Sequence, residues 1–227
     1  MSTFLGSSIG RKMVVSLSGL FLILFLIVHL SVNFTLILDD SGTMFNRAAH
    51  FMATNPLIRV VEPILAVGLL VHILLTIIIT VKNYRARPTP YATLNGAANS
   101  SWASRNMFIL GCLIASFLVL HLLHFFVKMK FTGDQLLTPV HIDGVPMKNS
   151  YLLVSTLFKE SLVYSIFYII SAIFLGFHLA HGFWSAFQTL GLCNEIWLKR
   201  LQNVALVYAT VIATGFSIIP LYFMLYF

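Results

Sequence analysis

Five long apolar stretches divide this chain and leave it one kind of fold. They cover about residues 13–37, 58–82, 105–129, 159–187 and 202–226, and each is long enough to cross roughly 30 Å of hydrocarbon as a helix. Hydrophobic residues make up 59% of the chain and charged residues 9%, which is more apolar surface than a water-soluble domain can bury. The sequence therefore predicts an all-α integral membrane bundle of five transmembrane helices, with residues 1–227 forming a single membrane domain.

The basic residues predict how this bundle is oriented. On the side that contains the N-terminus and the second and fourth connections, the Lys and Arg residues are accompanied by almost no acidic residues. On the other side, basic and acidic residues are equal in number. The first group is Arg11, Lys12, Lys82, Arg85, Arg87, Arg105, Lys199 and Arg200 against Glu195; the second is Arg47, Arg59, Lys128, Lys130, Lys148 and Lys159 with Asp39, Asp40, Glu62, Asp134, Asp143 and Glu160. The positive-inside rule places the N-terminus in the cytoplasm and the C-terminus outside. The net charge of +7 then reflects topology and a lipid bilayer partner, with no nucleic acid expected.

Four histidines lie deep inside four of the apolar stretches, at two depths. At 1.5 Å per residue, His29 and His121 lie roughly 25 Å from the cytoplasmic boundary, counted from Lys12 and Arg105. His72 and His178 lie roughly 15 Å from the same boundary. Intramembrane ionisable residues are costly and mark functional sites by default. We call His29 with His121 the outer pair and His72 with His178 the inner pair.

Paired imidazoles from different helices are typical ligands of haem iron. Neutral imidazole binds iron well, and two histidines on opposite faces of one iron are a common way for a bundle to hold a haem. The two depths therefore predict two haems, one at each pair. No C-x-x-C-H segment occurs, so the haems are expected to be b-type. Zinc is a poorer candidate, because no acid or thiol lies at these depths.

Spacing leaves the ligand choice open in two helices. His121 is followed by His124, and His178 by His181. Residues three apart share one helical face, so either histidine of each H-x-x-H segment can point toward the interior.

Several segments together resemble one known family. They are FLIVHLSVN around His29, FNRAAHFM followed by Pro56, then Glu62, His72 and His121, and H-x-x-x-G-x-W-S from His178 to Ser185. These residues resemble the dihaem cytochrome b membrane subunit of succinate dehydrogenase and fumarate reductase, in its single-anchor b558 form. The resemblance runs from about residue 11 to 226.

The resemblance implies a membrane anchor with two haem b groups. Its ligands would be His29 and His121 for the outer haem iron, and His72 and His178 for the inner one. It implies partner subunits, an iron-sulfur subunit and a flavoprotein subunit, which alone carry the iron-sulfur clusters and FAD. It also implies menaquinone as the substrate and the bacterial cytoplasmic membrane as the location. Enzyme activity would belong to the complex, with this chain as its quinone-reactive subunit and no dicarboxylate active site here.

Polar residues on the outer side are the candidates for the quinone site. They are Glu62, His50, Arg59 and Asn33. Glu62 fits two interpretations: a proton relay beside a low-dielectric site, or an acid that the dipole favours at a helix N-terminus. His50 equally fits a bridge between loop carbonyls.

Two other interpretations remain open from the sequence. The chain fits the dihaem anchor of another quinone-linked complex, such as a hydrogenase or a formate dehydrogenase. It also fits a haem-free transporter or scaffold whose histidines are interior polar groups.

Overall fold

The structure is a computed structural model that describes residues 4–86 and 101–226. Arg87, one of the basic residues counted above, lies outside the described residues. The described part contains a 3₁₀ turn, eight α-helices, a π-helical segment and one β-hairpin. They are Phe4–Gly6 (3₁₀), α1 Ser8–Phe34, α2 Thr43–Thr54, α3 Pro56–Arg85, α4 Trp102–Arg105, α5 Met107–His121, the π segment Leu122–Thr132, β1 Pro139–Ile142, β2 Val145–Lys148, α6 Ser150–Glu160, α7 Leu162–Thr189 and α8 Glu195–Tyr226.

Five of these helices are long and apolar enough to cross a membrane. They are α1, α3, α5 continued by the π segment, α7 and α8, with lengths from 26 to 32 residues. The prediction of five spanning helices in an all-α fold is confirmed at this level. Side-chain contacts show which helix ends lie together. Lys12 in α1 lines a cleft with Thr80 of α3 and Thr189 of α7, whereas Glu62 of α3 pairs with Lys130 of the π segment at the other end.

The helix boundaries differ from the prediction for local reasons. α1 begins at Ser8, because the Ser7 side chain accepts a hydrogen bond from the N–H of Gly10 at 2.9 Å. The fourth span begins at Leu162, because Ser161 has an extended backbone and its hydroxyl caps the N–H of Tyr164. α8 begins at Glu195, earlier than the predicted 202. Boundaries of this kind depend on single caps, which hydropathy does not detect.

The first and third connections carry more structure than polar loops. α2 occupies the first connection, and the β-hairpin and α6 occupy the third; we call these three elements the cap. Asn46 of α2 joins them, since its amide donates to Oδ1 of Asn149 at 3.2 Å and its Oδ1 accepts from the N–H of Tyr151 at 2.9 Å. Arg47 and Asp143 add an ion pair. Lys159 and Glu160 belong to α6, and the predicted fourth span therefore began too early.

The hydrophobic core lies along α7 and α8. α8 packs along α7 and also contacts α1, whereas α3 packs mainly on α1 and has no buried residue. Gly176 permits the close approach of α7 to α8, because a Cβ there would lie 2.9 Å from Cβ of Ala213. The buried apolar residues form two clusters, one that joins the cap to α7 and α8 and one between α1, α7 and α8. Their buried members are Leu36, Phe45, Tyr151, Val154, Phe158, Tyr168, Ile219 and Phe223 in the first, and Ile23, Leu179, Ala209 and Ile212 in the second.

The third span changes its winding at His121. The chain is α-helical from Met107 to His121 and π-helical from Leu122 to Thr132, where Gly133 ends it with φ of 71°. π-helical turns are rare and occur most often at functional sites. Because of this change of winding, the two histidines of the first H-x-x-H segment contact different neighbouring helices, as described below.

Replacing Asn46 by Ala tests the role of the cap. Asn46 is 4% exposed and satisfies polar groups of α6 as well as its own amide. We expect Asn46→Ala to lower the free energy of unfolding by about 1–3 kcal/mol, since it leaves a buried N–H unpaired. Thermal unfolding of the detergent-solubilised chain measures this. Asn203→Ala, at an exposed position of α8, is the matched control, and equal midpoints for the two variants would contradict the prediction.

Candidate functional site

The outer pair brings together α1 and the end of α5. The ring centroids of His29 and His121 are 5.7 Å apart and the ring planes are nearly perpendicular, at 88°. Two imidazoles on opposite faces of one metal ion, each bound at about 2 Å, hold their centroids on the order of 6 Å apart. Both histidines are half-buried. The geometry of the outer pair therefore suits two ligands of a single iron.

Aromatic rings enclose the outer pair. They pack against the two imidazoles on several sides, beside the Asn33 amide that approaches Nδ1 of His29. These rings are Phe25 at 5.1 Å and Phe216 at 5.5 Å from His29, and Phe117 at 5.6 Å and Phe125 at 5.4 Å from His121. A low-polarity enclosure of this kind excludes water and strengthens the electrostatic interactions of any group bound inside it.

The inner pair comprises His72 of α3 and His178 of α7, two helices that both pack on α1. Nδ1 of His72 donates to the carbonyl of Val15 at 3.2 Å, with the Ser18 hydroxyl 3.3 Å away. A carbonyl accepts only, so this bond fixes the proton on Nδ1 and leaves the lone pair on Nε2. Such an orienting bond on the second nitrogen is typical of a ligating histidine.

Glycines lie against both rings of the inner pair. A Cβ at Gly19 would lie 3.2 Å from Cε1 of His72, and one at Gly111 would lie 4.0 Å from Cε1 of His178. His72 thus lies beside residue 19 of α1, and His29 lies ten residues further along the same helix, roughly 15 Å away. The structure therefore joins His29 with His121 and places His72 against α1 at a different level.

In the first H-x-x-H segment, the two histidines contact different helices. Nδ1 of His124 and the Tyr168 hydroxyl are 3.0 Å apart and share a hydrogen bond, so His124 turns toward α7 while His121 faces His29. Nδ1 of His121 is buried and has no hydrogen-bond partner among the described residues. The contact of its ring with His29, which His124 does not make among the described residues, favours His121 as the ligand.

In the second segment, the two histidines have different neighbours. A Cβ at Gly111 would lie 4.0 Å from Cε1 of His178, whereas the ring of His181 packs edge-on against Trp184 at 4.9 Å. Nδ1 is buried without a hydrogen-bond partner in both histidines, within residues 4–86 and 101–226. The preference for His178 over His181 as the ligand therefore stays a prediction.

The donor set consists of pairs. Among the described residues, no group of three or more His, Cys, Asp or Glu side chains is placed to hold a metal ion. A closed tetrahedral zinc site needs four ligands, whereas a haem iron takes four ligands from its own macrocycle and two from the protein. Two histidines at each level fit the second requirement.

A cleft of about 180 Å³ that contains several polar groups lies one helical turn from His72, between α1, α3 and α7. It contains one amine and five hydroxyl groups, and Thr76 on its wall donates to the backbone carbonyl of His72 at 2.6 Å. Its lining is Lys12, Val15, Ser16, Thr76, Ile79, Thr80, Ser185 and Thr189. The sequence analysis missed this cleft, because its hydroxyls come from three helices and none stands out in its own segment.

The quinone candidates do not form one cluster. Asn33 lies beside His29, and its amide donates to the His29 carbonyl at 2.8 Å and approaches Nδ1 at 3.4 Å. Arg59 is exposed and its Nε donates to the carbonyl of Ala53 at 3.2 Å. His50 is half-buried in α2. Within the described residues, neither Arg59 nor His50 makes a hydrogen bond or ring contact with the four histidines.

Glu62 is paired with a lysine and lies beyond the first turn of its helix. α3 begins at Pro56, with Asn55 as its N-cap, so Glu62 lies in the second turn, where the helix dipole has little effect. Its carboxylate instead forms an ion pair with Lys130 of the π segment. The interpretation of Glu62 as a helix N-terminal acid is therefore wrong in its placement, and the side chain serves as a link between α3 and the third span.

Outside the spans, Asp134 is tied to the end of the third span. Its carboxylate accepts from the N–H of Leu136 at 3.0 Å and pairs with Lys128 at 2.7 Å. These bonds hold the pKa of Asp134 below its usual range, the backbone bond having the largest effect. Lys128 is therefore engaged at the cap end of the bundle.

Comparisons of this chain with protein-family models, with curated proteins and with solved structures found no match.

Proposed function

We propose that the chain is the dihaem cytochrome b membrane-anchor subunit of a succinate:quinone oxidoreductase, a succinate dehydrogenase or fumarate reductase. In this proposal it lies in the bacterial cytoplasmic membrane, with its N-terminus in the cytoplasm and its C-terminus outside. It would connect an iron-sulfur subunit, docked with a flavoprotein subunit on the cytoplasmic side, to menaquinone. The two histidine pairs carry the proposal, and the family resemblance of the segments around them supports it.

The four histidines would hold two b haems. His29 and His121 would ligate the outer iron, and His72 and His178 the inner one. When bound, the two haems would supply one-electron carriers at two depths of the membrane. The bond from His72 to Val15 would orient that ligand, and the phenylalanines around the outer pair would exclude water.

Propionates of the inner haem would find partners in the polar cleft. Each propionate carries a negative charge that needs a cation or a hydrogen-bond donor in a low-dielectric setting. Lys12 and the hydroxyls of Ser16 and Thr80 line this cleft, and Thr76 on its wall donates to the backbone carbonyl of His72. The cleft therefore matches the chemistry of the group that the inner pair would bind.

A pyridine haemochrome count on the purified chain tests the proposal directly. Two b haems per chain are expected, one for each histidine pair. A single haem would contradict the two-level arrangement. A well-folded chain without haem would favour a haem-free membrane protein with interior polar histidines.

Alanine variants of the ligands separate the two sites. His29→Ala or His121→Ala should reduce the count from two haems to one and leave the inner haem spectrum. His72→Ala or His178→Ala should remove the inner haem, because each iron loses one of its two protein ligands. His181→Ala is the matched control for His178→Ala and should keep both haems. If His178→Ala keeps both and His181→Ala does not, the ligand is His181.

A methyl group at Gly19 should disturb only the inner site. Its Cβ would lie 3.2 Å from the ring of His72, closer than an ordinary van der Waals contact, so the imidazole must turn or move away. We expect Gly19→Ala to shift or remove the inner haem signal in the reduced-minus-oxidised spectrum. Gly68→Ala, whose Cβ would lie 3.3 Å from Cδ1 of Phe21 and not against a histidine ring, controls for a general effect of crowding between α1 and α3. An unchanged inner signal in Gly19→Ala would contradict the prediction.

Glu62→Gln tests whether the link between α3 and the third span matters for quinone turnover. The substitution removes the charge that pairs with Lys130 and any proton that Glu62 relays. We expect menaquinone-dependent turnover to fall by a factor of about 10²–10⁴, the range usual for a lost acid–base group, with both haems retained. Glu160→Gln in α6 is the control. Turnover equal to that of the wild type would remove Glu62 from the quinone site.

A further inference from the structure

Tyr168 is a buried hydroxyl at the junction between α7 and the third span. Its residue surface is 8% exposed, and its hydroxyl shares the 3.0 Å hydrogen bond with Nδ1 of His124. Its ring stacks on His124 at 6.0 Å with an interplanar angle of 16°. The same ring lies 6.0 Å from the ring of His121. Tyr168 therefore touches both histidines of the first H-x-x-H segment.

This contact lies where the third span changes its winding. His121 is the last residue of α5, and the π segment starts at the next residue. π-helical turns have wider rings and less favourable hydrogen-bond geometry than α-helical turns, so the backbone alone fixes this junction less firmly. A side-chain bond across to α7 supplies a fixed point three residues after His121.

Packing alone does not account for the hydroxyl. The ring of Tyr168 is surrounded by phenylalanines that a Phe in its place would contact equally well: Phe117 at 5.0 Å, Phe158 at 5.1 Å and Phe125 at 6.0 Å. Burying a hydroxyl among such rings is unfavourable unless it is hydrogen-bonded. The hydrogen bond to His124 therefore makes a buried tyrosine favourable at this position. The same bond ties the helical turn after His121 to α7.

We propose that Tyr168 is a positioning residue for His121, acting through its hydrogen bond to His124. The bond fixes the helical turn that carries His121, and the Tyr168 ring limits the orientations of the imidazole. This inference rests on the proposed function, because it assigns Tyr168 a role toward the outer haem ligand. It gives the second histidine of this H-x-x-H segment a role other than ligation.

Tyr168→Phe tests the proposal in the full-length chain in its membrane. The variant keeps the ring and removes one oxygen atom. We expect two b haems per chain, an unchanged inner haem, and an outer haem whose low-spin EPR signal is broadened and whose midpoint potential is shifted, because His121 adopts more orientations. Tyr164→Phe is the matched control. Tyr164 lies on the same helix as Tyr168, its ring is 4.7 Å from that of His124, and the residue is 40% exposed. The Tyr164→Phe variant should leave both haems as in the wild type.

His124→Phe removes the same hydrogen bond by replacing its other partner. It therefore tests the positioning role even if Tyr168→Phe fails to fold. It should shift the outer haem in the same direction, and the double variant should shift it no further, because one bond is lost only once. An unshifted outer haem in either folded variant, or additive shifts in the double variant, would overturn the positioning role. A wild-type chain with fewer than two haems would instead contradict the proposed function, which keeps the two failures distinct.

Discussion

Hydrocarbon solvates imidazole poorly, and this constraint organises the bundle. Each of the four deep histidines would lose hydrogen bonds to water on entering the membrane, at a cost of several kcal/mol per unsatisfied group. His29 of α1 contacts His121 of the third span, and His72 of α3 donates to the Val15 carbonyl of α1. α8 contributes no histidine, but it forms the hydrophobic core with α7, and its Phe216 contacts His29.

The depth of each histidine was predictable because the rise of a helix is a constant. Counting residues from the charged boundary placed His29 with His121, whose rings are in contact in the structure, and His72 with His178, a pairing that stays a prediction. The cap was not predictable in this way, because Asn46 finds its partners in α6, more than a hundred residues further along the chain. The placement of Glu62 was missed for a similar reason, since it depends on where Asn55 starts α3.

The choice between His121 and His124 shows where spacing stops being informative. In a regular α-helix, residues three apart share a face. The π segment has wider turns, so the angle between these two residues grows, and His124 reaches α7 while His121 faces α1. Hydropathy carries no signal for π winding, because the winding depends on the neighbours that the helix packs against. Tyr168 is such a neighbour, and it is an unremarkable tyrosine in a sequence with eight.

α3 differs from the other spans, because none of its residues, all of which the structure describes, is buried. It is held by its packing on α1, by the bond from His72 to Val15 and by the ion pair of Glu62 with Lys130. Because α3 buries so little side-chain surface, we expect it to pack onto the bundle last during assembly. Any group that binds His72 and His178 together would then fasten α3 to α7, and binding would complete folding. In that sense the inner ligand would be a structural component of the bundle as much as a carrier within it.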